Sequence, residues 1–553
     1  MNRAQPRTAA PTGAGSGRTP FPRRASVTLA LAASAIMTAG MFSTASGAQL
    51  SESSLYDVIP APVSVEPASG EQYRLTGHTS IHIDKQASSA KRVANRLREL
   101  LRPATGFALP IKHDAAKYEG EDETGGISLR LDGSRAELGR AGYRLRIDDD
   151  SVTIRATTGD GLFNGMQTLR QLLPATIESD SERSGPWTIP GGEITDRPRF
   201  EHRAAMLDVA RHFHGVDSVK RYIDHLALYK VNYLHLHLSD DQGWRIQIDS
   251  WPRLTTHGGD TEVGGTPGGY YTKQEYGEIV DYAAARNVTI VPEIDLPGHT
   301  NAALSSYDKL NCDGTAPPPY TGIEVGFSSL CIDEPVTYRF VEDVIREVAA
   351  MTPGPYLHIG GDEAHSTSEA DYKKFMSRVL PLVEKYGKTA VGWSEYAKAT
   401  PPKGSVVQYW HTENSAPEMV EAAANGNKIL MSPANKAYID MKYNEDTELG
   451  LDWAGYSTVR DSYRWDPATF LPDVPDEAIL GVEAPMWTET LANLDQVEFM
   501  AFPRLPGIAE IGWSPASKHD WQAYRQRLAA QAPRWEQLGI DYYRSPQVPW
   551  PGN

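Results

Sequence analysis

The sequence predicts an α/β protein in which a (β/α)8 barrel, the TIM barrel, follows a smaller α+β accessory domain. Eight apolar, strand-like runs recur in the larger C-terminal part of the chain, and helical patterns separate most of them. Polar or aromatic residues stand at the ends of these runs. Eight strands alternating with helices are typical of a closed parallel barrel, whose active site lies at the carboxyl ends of the strands.

Residues 1–48 are predicted to be a secretory signal peptide. Arginines precede the apolar run of residues 25–42, and small residues ending at Ala48 favour cleavage after that position. The pair Arg23-Arg24 also permits export by the twin-arginine route. No later apolar run is long enough to span a bilayer, so we expect a secreted, extracellular protein.

Residues 49–195 are predicted to form the α+β accessory domain. Alternating apolar residues at 143–147 and 152–155 favour strands of a half-buried sheet, and residues 90–101 and 161–173 have helical spacing. This part of the sequence shows no cluster of catalytic side chains.

Residues 196–553 are predicted to form the barrel. Apolar residues spaced by three and four predict its first helix, which we expect to begin at an Asp217 cap. The eight predicted strands are residues 205–209, 233–238, 288–294, 356–359, 389–393, 406–410, 428–431 and 479–482.

The composition restricts the kind of partner. A formal net charge of −17 argues against nucleic acid or an anionic membrane, and a neutral or cationic ligand fits better. The 12 Trp and 26 Tyr include rings that could stack on the faces of sugars, although aromatic side chains more often belong to a core.

The two cysteines of the chain, Cys312 and Cys331, lie in one predicted loop. In an oxidising compartment we expect them to form a disulfide, which would stabilise the fold by roughly 3 kcal/mol on the chain-entropy model. A catalytic thiol is the alternative, but no other part of the sequence supports it.

Two adjacent carboxylates, Asp362 and Glu363, form the most informative feature of the sequence. They follow a short apolar strand and two glycines, Gly360 and Gly361, which allow a sharp turn. Neighbouring acids repel each other, and a chain seldom places them together for stability alone. Cleavage of a glycosidic bond requires such carboxylates, one of them protonated as a proton donor.

Further polar and aromatic candidates follow the other predicted strands. Arg211 could clamp sugar hydroxyls or form a salt bridge, and Asp295 with His299 could tune the acid pair or hold a tight turn. One tryptophan at a strand end is usually core, whereas three on one barrel face suggest a walled pocket. The remaining candidates are Asp240, Trp393, Trp410, Tyr438, Asp440, Trp487 and Glu489.

Other classes of site fit the sequence less well. His235 and His237 on one strand could hold a metal, but further histidine ligands are missing from the pattern, so packed core histidines are favoured. Residues 362–365 spell the DEAH box of helicase-like ATPases, but Leu382 stands where a phosphate loop ending at 387–389 needs its first glycine. There is also no His-Glu-x-x-His zinc-protease motif.

Several of these segments, in this order, resemble the motifs of family 20 β-N-acetylhexosaminidases, most closely the secreted actinobacterial members. The matching segments are residues 207–212, 292–299, 358–363 and 484–489. The resemblance covers nearly the whole mature chain, including a small α/β domain before the barrel. It implies an exo-acting retaining glycoside hydrolase that releases terminal β-linked N-acetylglucosamine or N-acetylgalactosamine, including from chitooligosaccharides, with no cofactor and no metal.

The resemblance also implies the roles of individual residues. Glu363 would be the general acid and then the general base. Asp362 would bind the N–H of the substrate's 2-acetamido group, whose oxygen attacks the anomeric carbon to give an oxazolinium intermediate. Tyr438 would donate a hydrogen bond to that oxygen. A lectin that kept this pocket but lost turnover is the main alternative, which the intact acid pair and tyrosine argue against.

The remaining implied roles concern substrate binding and support of the acid. Trp393, Trp410 and Trp487 would enclose the acetamido methyl group and the sugar ring. Arg211 would bind the O3 and O4 hydroxyls, Glu489 would bind O4 and O6, and Asp440 is assigned to substrate binding beside it. Asp240, Asp295 and His299 resemble the supporting shell around the acid.

The physics of the acid pair agrees with this scheme. Sequence neighbours cannot easily flank one bond from opposite sides, as an acid and a protein nucleophile must. An attacking group within the substrate removes that requirement and gains a large effective molarity. We also expect ionised Asp362 to raise the pKa of Glu363, which suits a general acid.

Overall fold

A computed structural model describes residues 54–84, 87–114 and 125–552. The predicted signal peptide, residues 1–48, lies outside the described residues. Within these three ranges, none of the helices combines the length and the apolar character needed to cross a membrane.

The accessory domain is a seven-stranded mixed sheet with two long helices. Along the sheet the strands follow the order β1-β7-β5-β6-β4-β2-β3. The predicted strands and helices of this domain are present: the strand at 143–147 has the expected bounds, and the other three elements differ from theirs by one to four residues. The elements are β1 (Ser64–Leu75), β2 (Ile81–Asp84), α1 (Ser88–Thr105), β3 (Ile111–Asp114), β4 (Gly126–Leu131), β5 (Tyr143–Ile147), β6 (Ser151–Ala156), α2 (Gly159–Leu172) and β7 (Trp187–Asp196).

A buried polar cluster joins the accessory domain to the barrel. Asp196, at the end of β7, accepts hydrogen bonds from the Tyr143 hydroxyl at 2.8 Å and from Trp513 Nε1 at 2.9 Å. Lys230 Nζ lies 3.4 Å from the same carboxylate, and neither charged side chain is exposed. Because separating these buried charges would leave them unpaired, the cluster fixes how the two domains meet.

Eight parallel strands close into a barrel, as the sequence predicts. Each parallel connection crosses over the outside of the barrel and brings the chain back to the same end. The strands are β8 (His202–Asp208), β9 (Tyr233–His237), β10 (Thr289–Glu293), β11 (Tyr356–His358), β12 (Thr389–Trp393), β13 (Val406–Tyr409), β14 (Lys428–Met431) and β15 (Ile479–Ala484).

The first barrel strand begins three residues before the predicted run, at His202. Arg203 is buried there because its guanidinium donates to the carbonyls of Lys230 and Phe200, at 3.0 and 2.8 Å, and lies over the Trp513 ring. A hydrophobic pattern cannot identify a strand residue whose burial depends on hydrogen bonds to distant carbonyls.

Helices cover the outside of the barrel, with one exception. Only a 3-10 helix, Ser394–Ala399, connects β12 to β13. The first barrel helix starts at Val216 after Gly215, so Asp217 lies in its first turn and is not the expected cap. The helices are α3 (Val216–Leu228), α4 (Arg253–Thr256), α5 (Lys273–Ala284), α6 (Asn301–Ser306), α7 (Pro335–Met351), α8 (Glu369–Lys385), α9 (Pro417–Ala424), α10 (Ala434–Ala437), α11 (Val459–Tyr463), α12 (Pro467–Phe470), α13 (Leu494–Ala501), α14 (Arg504–Trp513) and α15 (Trp521–Leu538).

Candidate active site

All eight strands deliver candidate site residues to one end of the barrel. Each of these residues is the last of its strand or follows the carboxyl end of the strand by one to nine positions. In strand order from β8 they are Arg211; Asp240; Asp295 and His299; Asp362 and Glu363; Trp393; Trp410; Tyr438 and Asp440; Trp487 and Glu489.

The turn after β11 fixes the acid pair. Gly360 and Gly361 have φ values of 66° and 96°, and Glu363 itself has a φ of 45°, a region that side chains other than glycine seldom occupy. A Cβ at Gly360 would lie 1.7 Å from Asp295 Oδ1, so glycine is required at this close approach. The Gly361 amide donates to the same oxygen at 3.1 Å, and the Tyr372 hydroxyl donates to the Gly361 carbonyl at 2.7 Å.

His299 lies between the acid pair and a second carboxylate. Its Nε2 is 3.4 Å from Glu363 Oε2 and 3.7 Å from Asp362 Oδ2, while its Nδ1 is 3.1 Å from Asp240 Oδ1. Burial opposes the charged form of this imidazole, but Asp240 and Asp362 outweigh it and raise the pKa of His299 well above its usual value. The site therefore places a cationic imidazole directly beside both acids.

The proton distribution in the acid pair differs from the sequence-based expectation. Burial, with a contribution from Glu363, raises the pKa of Asp362 to about 7 although His299 opposes the shift. For Glu363, burial alone would raise the pKa. The contact with His299 and the positive charge of that residue outweigh burial, so the pKa of Glu363 lies below its usual value. The expectation that Glu363 has the raised pKa is therefore wrong, because Asp362 has it. Asp362 is 10% exposed and Glu363 is 26% exposed, a difference that the sequence does not reveal.

Two carboxylate oxygens close to this turn are buried without a hydrogen bond in the described part of the chain. One is Asp362 Oδ1 and the other is Asp295 Oδ2. Burial and then the charge of Asp362 raise the pKa of Asp295 well above its usual value. Asp295 supports the turn through Gly361, and its charge is one of those that raise the pKa of His299, so both roles expected for it are compatible with the structure; the carboxylate hydrogen-bonded to His299 is Asp240.

Arg211 is held by acids and also faces the pocket. Its Nη2 lies 2.9 Å from Asp240 Oδ2, its Nη1 lies 3.4 Å from Asp208 Oδ2, and its Nε donates to Gln242 Oε1 at 3.2 Å. The guanidinium stacks over Trp487, 4.7 Å from the ring centroid. The functional interpretation and the salt-bridge alternative are therefore compatible, because the salt bridges orient the guanidinium against a pocket wall.

Aromatic rings line the other side of the site. The Trp393 and Trp487 centroids are 5.8 Å apart, and those of Tyr438 and Trp487 are 6.4 Å apart. Trp410 continues this wall, and its Nε1 donates to Glu395 Oε2 at 3.1 Å. The three predicted tryptophans are thus brought together with Tyr438.

One aromatic residue of this wall was missed by the sequence analysis. Trp453 contacts Trp410 and Tyr438 edge-to-face, with centroids 5.8 and 5.9 Å apart, and is 53% exposed. It belongs to the long connection between β14 and β15, not to a strand end, so its position in the sequence gave no indication. Its exposure extends the aromatic wall to the surface.

Asp440 and Glu489 bring two further carboxyl groups into the site, after β14 and β15. Neither carboxylate oxygen of Asp440 makes a hydrogen bond of normal geometry within the described residues, although the side chain is buried. Burial and then Glu489 raise the pKa of Asp440 well above its usual value, and burial raises that of Glu489. Burial also raises the pKa of Tyr438, which keeps its hydroxyl a hydrogen-bond donor.

The two strand histidines lie in a buried layer beneath the pocket. His235 Nε2 is 2.8 Å from Glu293 Oε2 and its Nδ1 is 2.9 Å from Glu483 Oε1, while His237 contacts Glu293 and Asp240. His235, Glu293 and His358 are close enough together to share a metal. However, carboxylates already contact the ring nitrogens of both strand histidines, an arrangement that needs no ion to balance its charge.

The predicted cysteine pair is joined in the structure as a disulfide between Cys312 and Cys331. The loop that it closes packs against the acid pair. A Cβ at Gly326 would lie 2.4 Å from His365 Nδ1 and 3.2 Å from the Glu363 carbonyl. The disulfide therefore ties a loop that borders the site and not one at a distant surface.

Comparison with known proteins accounts for both domains. Residues 200–516 match the model of the glycosyl hydrolase family 20 catalytic domain, and residues 55–197 match that of glycosyl hydrolase family 20, domain 2. The chain belongs to glycosyl hydrolase family 20. It is therefore a glycoside hydrolase, with the catalytic barrel and the preceding domain that characterise this family.

Individual relatives agree with the family assignment. A β-N-acetylhexosaminidase of Cellulomonas fimi is 42% identical over 495 residues, covering 90% of this chain and 97% of the relative. The solved family 20 β-N-acetylhexosaminidase of Streptomyces coelicolor A3(2) is 60% identical, with a TM-score of 0.86 over 90% of this chain and 99% of that one. A mutant Streptomyces plicatus β-hexosaminidase, solved with the product GlcNAc, is 61% identical, with a TM-score of 0.86 over 90% and 98% of the two chains.

Proposed function

We infer that this family 20 hydrolase is an exo-acting, retaining β-N-acetylhexosaminidase that releases terminal β-linked GlcNAc or GalNAc. One observation carries the inference: adjacent Asp362 and Glu363 lie in the turn after β11, beside a pocket walled by aromatic rings. Both carboxylates approach the same nitrogen of His299 from a single turn of the chain. They thus lie on one side of the pocket and not on two sides of a glycosidic bond, as an acid and a protein nucleophile would.

The attacking group comes from the substrate in this scheme. Asp362 Oδ1 accepts the N–H of the 2-acetamido group, a role supported by its burial without a hydrogen bond among the described residues. The acetamido oxygen then attacks the anomeric carbon while the bond to the leaving oxygen breaks, giving an oxazolinium ion. Two displacements at one carbon, first by the acetamido oxygen and then by water, retain its configuration.

Substrate binding also rearranges the proton of the acid pair. In the free pocket the raised pKa belongs to Asp362. A bound N–H favours the ionised form of Asp362, and a leaving oxygen beside Glu363 favours the protonated form of that residue. Glu363 then donates its proton to the leaving oxygen and, in the second step, removes a proton from the attacking water.

The other walls bind and orient the sugar. Tyr438 donates a hydrogen bond to the acetamido oxygen, a role supported by the raised pKa that keeps its hydroxyl protonated. Trp393, Trp410 and Trp487 enclose the acetamido methyl group and one sugar face. Arg211, Asp440 and Glu489 bind the hydroxyls of the ring.

We further propose that the enzyme acts outside the cell and that chitooligosaccharides are among its substrates. Export is supported by the N-terminal signal pattern, which lies outside the described residues, and by the Cys312–Cys331 disulfide. The substrate class is supported by the relatives, one of which was solved with GlcNAc.

A direct test compares 4-nitrophenyl β-glycosides of GlcNAc, GalNAc and glucose, and follows the anomeric configuration of the first-formed product by NMR. We expect hydrolysis of the two N-acetylated substrates with retention, and negligible turnover of the glucoside. A sugar thiazoline, which resembles the oxazolinium ion, should inhibit competitively. An inverted product or a trapped covalent glycosyl ester on the protein would exclude the scheme.

A further inference from the structure

Glu293 occupies an unusual position beneath the pocket. It is the last residue of β10, it is fully buried, and its two carboxylate oxygens contact different partners. Oε1 accepts a hydrogen bond from Trp393 Nε1 at 2.9 Å. Oε2 contacts His237 Nδ1 and lies 2.8 Å from His235 Nε2. One carboxylate therefore holds both a pocket wall and two imidazoles of β9.

A chain of contacts continues from His237 to the acid. His237 Nε2 lies 2.7 Å from Asp240 Oδ2. Asp240 in turn lies 2.9 Å from Arg211 Nη2 and 3.1 Å from His299 Nδ1, and His299 Nε2 is 3.4 Å from Glu363 Oε2. The indole that walls the acetamido site and the imidazole beside the general acid are thus joined through a single buried carboxylate.

We propose that Glu293 is a positioning residue of the reaction: it sets the Trp393 indole and, through His237 and Asp240, the His299 imidazole relative to each other. The role rests on the function proposed above. Glu293 itself touches neither the substrate nor the reacting atoms. Its effect is to make the Trp393 wall and the acid side of the pocket one rigid unit. The attack by the acetamido oxygen and the later attack by water then take place in one fixed geometry.

The charges that face Glu293 make this role measurable by pH. His235 and His237 face it from β9, His358 faces it from β11 with Nδ1 at 3.1 Å, and Asp295 lies two residues further along its own chain. Burial opposes ionisation of Glu293, but His237, His358 and His235 hold its pKa well below the usual range. Glu293 is therefore an anion that keeps His237 cationic, against the burial that disfavours that cation.

Replacing this anionic carboxylate by a neutral amide changes both the contacts of residue 293 itself and the pKa of the acid pair. In Glu293→Gln the amide nitrogen cannot accept a hydrogen bond, so Trp393 or His237 loses its partner. The charge of Glu293 is also one of the contributions, after burial, that raise the pKa of Asp362. Without it the acid pair releases its last proton at lower pH, and the alkaline limb of kcat/KM moves to lower pH.

Glu483 offers a matched control in the same buried layer. It lies on β15, is 2% exposed, and contacts His235 Nδ1 at 2.9 Å and Gln408 Nε2 at 2.7 Å. None of its hydrogen-bond or ion-pair partners among the described residues is a pocket residue. Glu483→Gln therefore removes a buried carboxylate of β15 that shares His235 with Glu293, but leaves the contacts to Trp393 and His237 unchanged.

The experiment compares the full-length parent, Glu293→Gln and Glu483→Gln, measuring kcat and KM for 4-nitrophenyl β-GlcNAc across pH. We expect kcat of Glu293→Gln to fall at least tenfold below that of Glu483→Gln, and only Glu293→Gln to have a displaced alkaline limb. Equal losses in the two variants, or a pH profile of Glu293→Gln that superimposes on that of the parent, would overturn the proposal.

A second variant keeps the test valid if Glu293→Gln does not fold. His237→Asn breaks the same chain one step closer to Asp240 and leaves Glu293 in place. A displaced alkaline limb in His237→Asn supports the proposal, and an unchanged limb overturns it. A parent chain without activity on N-acetylated substrates would instead refute the proposed function, so the two failures are distinguishable.

Discussion

The two sides of the pocket are built in opposite ways. On the side of β8 to β11, Asp240 is held by His237, His299 and Arg211, and Asp295 by the Gly361 amide, although one oxygen each of Asp295 and Asp362 has no hydrogen bond among the described residues. On the side of β14 and β15, Asp440 is buried beside Glu489, and neither of its carboxylate oxygens makes a hydrogen bond of normal geometry within the described residues.

We attribute this difference to function: the side with the acid pair is prearranged for the chemical steps, and the side with Asp440 is prearranged to bind the sugar. Fixed charges around the acid pair need no reorganisation when charge develops on the leaving oxygen and the anomeric carbon. A buried carboxylate that lacks well-formed hydrogen bonds costs stability, and sugar hydroxyls can supply those hydrogen bonds when the substrate binds. Variants on the first side should therefore affect mainly kcat, and variants on the second side mainly KM and stability.

The largest effect is expected for Glu363→Gln. General acid catalysis is worth about 10²–10⁴-fold, so kcat for a β-GlcNAc substrate with a poor leaving group should fall by that factor. A 2,4-dinitrophenyl leaving group needs little protonation and should lose less activity. Comparing kcat for the two substrates in the variant and the parent gives the result. Wild-type rates with the poor leaving group would remove Glu363 from the mechanism.

Asp362→Asn should have the next largest effect. Loss of one preorganised charge at the reacting centre typically lowers kcat by about 10²–10³-fold. The pH dependence should also change. In the parent, the pair loses its last proton at the raised pKa of Asp362, about 7, so kcat/KM falls as the pH rises through this value. In the variant the remaining carboxyl, Glu363, has a lowered pKa, so the alkaline limb moves to lower pH.

A complete pH profile of kcat/KM for parent and Asp362→Asn decides this second prediction. An alkaline limb that stays at the same pH in both enzymes would assign the limb to a group other than the acid pair. The neutral control is Glu483→Gln, whose limb should coincide with that of the parent.

The arrangement of the fold and much of the site were accessible from the sequence. Apolar runs such as those ending at Trp393 and Trp410 identify strands because barrel strands are buried on both faces. Once the strands are ordered, residues after their carboxyl ends must converge. Thus Arg211, Glu363 and Asp440, far apart in sequence, could be placed in one pocket before any distance was known.

The features that the sequence could not predict depend on which side chains are buried and which partners they have in the folded chain. The different exposure of Asp362 and Glu363 decides which of the two carries the raised pKa, and exposure is a property of the folded chain. Glu293 lies in an apolar strand. A buried charge in such a strand requires a partner, but the sequence does not identify that partner. Trp453 belongs to a long connection whose path no periodic pattern describes.

Asp440→Asn tests the binding side of the comparison. Hydrogen bonds to a charged group are worth about 1.5–3 kcal/mol, so KM should rise roughly tenfold or more while kcat changes less. Stability should change in the opposite direction. Because the folded-state pKa of Asp440 is raised, its contribution to stability is intact below its unfolded pKa, about 4, and is lost as the pH rises towards the folded pKa.

Asp440→Asn has no carboxyl group at this position and therefore does not lose this stability as the pH rises. Thermal unfolding of the variant and the parent, followed across pH, provides the measurement. The melting temperature of Asp440→Asn should equal that of the parent near pH 4 and exceed it increasingly at neutral pH. A variant that is less stable at neutral pH would mean that Asp440 is already satisfied in the free protein, and the contrast between the two sides of the pocket would no longer hold.

The smallest effect on activity is expected from removal of the disulfide. Replacing Cys312 and Cys331 by Ala should lower the free energy of unfolding by about 3 kcal/mol, since the bond closes a loop with a sequence separation of 19 residues. The value of kcat at 25 °C should change little, because the turn that carries Glu363 is held by Asp295 and Tyr372 independently of this loop. Urea unfolding and steady-state kinetics on the same samples measure both quantities. A large loss of kcat at unchanged stability would show that the loop itself positions the acid and would add it to the preorganised side of the pocket.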